Sequence, residues 1–131
     1  MRKISRPSPG EYAPQAEAYI QLVPHTDLVL ECLLDSLTTT RDLVAALSPE
    51  QLAYRYAPGK WTIKQIVAHL CDDERIYVYR ALRFARGDST PLPGFDQDLF
   101  AEMSNADERD IGDLLEELSR VRLASVSFFD G

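Results

Sequence analysis

Apolar residues recur at helical spacing in three stretches of the chain, and the middle one is the most fully specified. Ile63, Ile66, Val67, Leu70, Tyr77 and Ala81 fall on one stripe at about 100° per residue. Thr62 precedes the series and Gln65 stands three residues on, a capping box, with Trp61 and Ile66 placed as its hydrophobic staple. Gly87, ahead of Pro91 and Pro93, is a natural stop. One long helix is therefore predicted over residues 62 to 86. Upstream, Leu30, Leu33, Leu34, Leu37, Val44 and Leu47 predict a helix over 27 to 47, with a bend expected at the β-branched run Thr38 to Thr40. Downstream, Ile111, Leu114, Leu115, Leu118 and Val121 predict a helix over 110 to 129, with Asp110 as N-cap and Gly112 as its weak point. Ser48, Pro49 and Gln51 repeat the capping pattern and predict a short helical turn between the first two long helices.

The remaining segments are connectors. Residues 1 to 26 carry Pro7, Pro9, Pro14 and Pro24 with Gly10, which forbids a long helix. They are expected to form an arm docked on the domain through Tyr12, Tyr19, Ile20, Leu22 and Val23. A Pro-rich connector from Asp88 to Phe95 leads to a short apolar segment at Leu99 and Phe100. No stretch has strand period and there is no internal repeat. The expected fold is all-α: a single domain over 1–131, with an arm over 1–26 and a helical bundle over 27–131. Three amphipathic helices that end on Phe128 and Phe129 imply a fourth, missing from the sequence or supplied by a partner chain, and so a homodimer.

Charge narrows the partners. Against 14 Lys and Arg stand 21 Asp and Glu, a formal net charge of −7, which disfavours nucleic acid and anionic membranes. No apolar run follows the basic N-terminus and none approaches the length of a membrane span, so the expected location is the cytoplasm. Cys32 and Cys71 form no metal-type pair and are expected to be reduced thiols.

The chemically loaded spot is His69, Asp72, Asp73 and Glu74. Glu74 lies on the apolar stripe, where a carboxylate must be paired, protonated or on a metal. His69 and Asp73 are four residues apart on its flank. One reading is half of a divalent-metal site centred on His69, suited to zinc, nickel or iron, although catalytic sites normally take three protein ligands. The other is structural: His69 and Asp73 as a polar pair, and Glu74 bonded to Arg83, Arg41 or a tyrosine hydroxyl. Cys71 is expected to be buried and inert, Tyr77 and Tyr79 to be core, and Trp61 to be substantially buried. The arginines 75, 80, 83 and 86 read as a charge-laced face.

Longer runs carry a resemblance. Pro58-Gly59-Lys60-Trp61-Thr62-Ile63-Lys64, His69-Leu70-Cys71-Asp72-Asp73-Glu74-Arg75, Tyr79-Arg80-Ala81-Leu82-Arg83-Phe84-Ala85-Arg86-Gly87-Asp88 and Pro91-Leu92-Pro93-Gly94-Phe95-Asp96 resemble the DinB-like superfamily of metal-binding four-helix bundles. Glu11-Tyr12-Ala13-Pro14 and Tyr19-Ile20-Gln21-Leu22-Val23-Pro24 are similar to the same subgroup. The resemblance implies an up-down bundle whose second helix supplies one metal-ligating histidine, at the position of His69. It also implies two further histidines, one turn apart on the last helix, which have no counterpart here; His25 precedes the first helix. The chain is then either a shortened member of the family or one that kept the scaffold and lost the metal.

Two functions follow. In the first, the chain is a divalent-metal scaffold related to metal-dependent thiol transferases and hydrolases, acting on a small molecule or thiol, with an incomplete site and weak or absent metal. In the second, it is a non-catalytic helical oligomer or partner-binding module.

Overall fold

A computed structural model describes residues 1–131, and every regular element in it is helical. The six α-helices are α1 (Glu17–Leu22), α2 (Val29–Ala45), α3 (Pro49–Leu52), α4 (Ile63–Ala85), α5 (Gln97–Met103) and α6 (Ile111–Asp130), with short 3-10 turns at Pro14–Ala16 and Ala106–Glu108. The all-α expectation is met, and α2, α4 and α6 are the three predicted long helices. Their starts are set by local chemistry. Ser48 with Gln51 and Thr62 with Gln65 form complete capping boxes, while the Asp110 carboxylate accepts from the Gly112 amide. At Thr38, Thr39 and Thr40 the hydroxyls donate back to the carbonyls of Leu34, Asp35 and Ser36. That satisfies them inside α2, which runs unbroken through the expected bend.

α6 is the element the others share. It packs against both α2 and α4, and α5 and the second 3-10 turn close one end against α4. Leu114 and Leu118 of α6 are fully enclosed by Val44, Leu52, Val67, Ala68, Cys71 and Ala106 in one apolar cluster. Only 14 of 131 residues are buried, so this core is small for the chain's length. The reason is visible on α4. Val67, Ala68 and Cys71 turn inward, whereas Ile66, Leu70, Tyr77 and Phe84 are 39, 38, 59 and 69% exposed and lie within about 60° of one another around the helix. Part of the predicted stripe faces α6 and part faces solvent, because three long helices cover only one side of α4.

Two packing expectations are corrected here, one of them in part. Tyr77 and Tyr79, expected in the core, are both exposed. Trp61 is mostly buried, as expected. Of the arm's five apolar side chains, Tyr12, Ile20 and Val23 are partly buried, but Tyr19 and Leu22 are 74 and 81% exposed. Polar contacts add to this: the Arg6 guanidinium donates to the carbonyls of Val23 and Ile20 and so folds the arm on itself, while the Ile4 amide donates to the Asp27 carbonyl and the Arg2 amide to the Asp130 carboxylate on α6.

Candidate functional site

The four residues singled out on α4 do not converge. Successive helical positions point about 100° apart, and each side chain meets a different neighbourhood. His69 is half-exposed and its ring packs against the Trp61 indole, centroids 4.8 Å apart and tilted by 52°. Asp72 turns toward α6. There burial raises its pKa, Arg75 opposes the rise, Glu117 adds to it, and His69 and Arg109 oppose it further. The histidine's electrostatic neighbour is thus Asp72, and no hydrogen bond or ion pair joins His69 to Asp73. Asp73 lies at the edge of a cavity of about 280 Å³ lined also by Leu33, Tyr77 and Phe129.

Glu74 is answered by a residue that spacing along α4 does not reveal. The expected partners were Arg83, Arg41 or a tyrosine. Arg83 pairs with Asp88 and Arg41 reaches the Leu115 carbonyl and Ser119. The partner is Arg122 on α6, whose Nε donates to both Glu74 oxygens at 2.9 and 3.0 Å. Its Nη1 donates to the Leu33 carbonyl and to Ser36 Oγ on α2. The pair is 15 and 16% exposed, so it neutralises the carboxylate and ties all three long helices together. Beside it, Arg75 and Arg109 both grip Glu117, at 2.7 and 2.6 Å. Burial raises the Glu117 pKa, but the hydrogen bonds from the two arginines outweigh it and the net shift is downward.

Cys71 is buried, and desolvation is the main reason its thiol is pushed up to about 12. A thiol so placed is neither a nucleophile nor a ready metal ligand near neutral pH. Both cysteines are free, as expected. No three His, Cys, Asp or Glu side chains come together in a group able to hold a metal ion.

The largest concavity lies at the foot of α4. A cleft of about 970 Å³ opens between the loop before α4, which carries Tyr56, Lys60 and Trp61, and α5, which carries Asp98, Leu99 and Glu102. Gln65 fixes both walls. Its side-chain oxygen accepts from the Thr62 amide and from Arg55, and its amide nitrogen donates to the Ala101 carbonyl on α5.

A family model described as the DinB superfamily matches residues 33–131. The chain belongs to the DinB superfamily. The match takes in all of α4 and α6 and most of α2, so the fold expected from the Pro-Gly-Lys-Trp run is that of the family. Among curated proteins, this DinB-like chain is 36% identical over 61 residues to one of Oceanobacillus iheyensis named "Putative metal-dependent hydrolase", an alignment covering 46% of this chain and 35% of that one. The chain thus spans about a third of the length of the curated relative it matches. No solved structure gives a significant match. No helix of the DinB-like domain is long and apolar enough to cross a membrane.

Proposed function

We propose that this DinB-like chain is a scaffold for a divalent metal, zinc, nickel or iron, related to metal-dependent hydrolases and thiol transferases, with His69 as the one imidazole it contributes. The supporting observation is the placing of His69. It is the sole histidine on any helix, half-exposed on α4 beside the open apolar face, and it is at the position where the family resemblance puts a ligand. The donors around it do not complete a site: Cys71 holds its proton, Glu74 is spent on Arg122 and Asp72 leans on Arg75. In this reading the further ligands would come from a partner that covers the open face of α4. Zinc or nickel titration by calorimetry, on protein purified without a nickel column, tests this. Weak binding lost in His69→Ala supports it, and tight stoichiometric binding that survives the substitution overturns it.

A second reading is favoured by the same open face. Ile66, Leu70, Tyr77 and Phe84 are an unpartnered apolar stripe, and at about 25 cal/mol per Å² a few hundred Å² of such surface is worth several kcal/mol when covered. In this reading the chain is a homodimer or partner-binding module that keeps the fold without metal, with Phe128 and Phe129 near the contact. Light scattering at micromolar concentration distinguishes the two: a folded, stable monomer removes the homodimer.

A further inference from the structure

The cleft between the α4 loop and α5 has an uneven charge. On the loop side, Arg55 is paired with Asp107 at 3.0 Å, and Lys60 sits over the Tyr56 ring, 5.7 Å from its centroid. On the α5 side, Asp96 is spent capping α5. Asp98 and Glu102, one helical turn apart on that wall, take part in no ion pair. Between the walls lie the Trp61 indole and the side chains of Ile66 and Leu99. The combination is an apolar, aromatic floor with Asp96, Asp98 and Glu102 on one wall against one cation free of ion pairs, Lys60, on the other, an excess of negative charge that favours a cation through the ring face and through the charges. The walls are also fixed in advance by the three bonds to Gln65, so a ligand need not order them.

We propose that this cleft binds an organic cation with an apolar or aromatic body, of the aryl-alkyl amine class, its ammonium between Asp98 and Glu102 and its body against Trp61. The site needs no metal and does not involve the open stripe of α4 beyond Ile66, so it stands or falls apart from the function proposed above. Asp98 and Glu102 are exposed, and their contribution is accordingly modest and sensitive to salt.

The chain has one tryptophan, and it lines the cleft, so its emission reports occupancy directly. Phenethylamine, titrated into the metal-free protein at low salt, is expected to give a saturable change in Trp61 fluorescence. The carboxylate of matching body, 3-phenylpropionate, is expected to bind about three- to tenfold more weakly, as is the amine to the double variant Asp98→Asn/Glu102→Gln. Circular dichroism of the variant checks that its helices are intact. If it has lost them, the comparison of amine with carboxylate on the unaltered protein still decides. No saturable response to millimolar amine, or an equal response to the carboxylate, overturns the proposal. So does an emission that changes on simple dilution of the protein, which would show the cleft to be covered by a second copy.

Discussion

Removing the guanidinium of Arg122 while leaving Glu74 in place is the sharpest test of how this domain is held together. Arg122 gives two hydrogen bonds to the carboxylate and two more to α2, at the Leu33 carbonyl and Ser36. Both partners are about one-sixth exposed. Arg122→Met keeps most of the side-chain volume but strands a charged carboxylate against α6. Breaking a pair enclosed to this degree costs roughly 3–5 kcal/mol, whereas replacing both partners by apolar side chains is often neutral or better. Glu74→Met should cost less than Arg122→Met, since the arginine keeps its two bonds to α2. The double variant should then lie well above the sum of the singles in stability. Urea denaturation followed by circular dichroism measures this. At an m-value of about 2 kcal/mol per M, the Arg122→Met midpoint falls by roughly 2 M. A cost below about 1 kcal/mol, or strictly additive single and double variants, would refute the view that this pair joins the three helices.

Other outcomes are equally specific. Gly112→Ala would ordinarily stabilise a helix by up to about 1 kcal/mol, but here a Cβ would come within 2.8 Å of the capping Asp110 oxygen. Loss of the cap cancels the gain, and the melting temperature should barely move; a clear rise would show the cap to be dispensable. Cys71, with its thiol pushed up to about 12 from an ordinary value of 9, should resist a thiol reagent that labels Cys32. Because the folded state keeps this proton longer than the unfolded state, stability should fall as pH rises from about 9 toward 12. Cys71→Ala should flatten that slope, and an unchanged slope would assign it to other groups. Trp61→Ala should cost roughly 3–5 kcal/mol, the range for a buried aromatic, because Trp61 is mostly buried; an unchanged denaturation midpoint would show it to be a surface residue.

Local chemistry was legible in the chain, and the side chains that cross between helices were not. Thr62 with Gln65, Ser48 with Gln51, and Asp110 announce helix starts through contacts made within three residues, which spacing alone reveals. Glu74 could be recognised as a carboxylate that must be answered, yet Arg122 lies 48 positions away and no periodicity on α4 points to it. Tyr77 and Ile66 have the spacing of core residues, and they would be core if another helix lay over them. The sequence pattern describes a helix drawn to be covered on more than one side, and the structure covers one. The cleft beside Trp61 was missed because its walls, the loop before α4 and the short helix α5, lie far apart in the chain and each reads individually as a local feature.

The position of α6 bears on how the domain can be made. α2 and α4 have little direct contact with one another; each meets its main apolar partner on α6. Synthesis runs from the N-terminus, so both helices leave the ribosome before the segment that gives them a common core. Until residues 111 to 130 emerge, Val67 and Cys71 lack the Leu114 and Leu118 side chains that complete their cluster. Folding of this domain is therefore expected to be cooperative, with nascent chains that stop short of α6 held as aggregation-prone clients of chaperones.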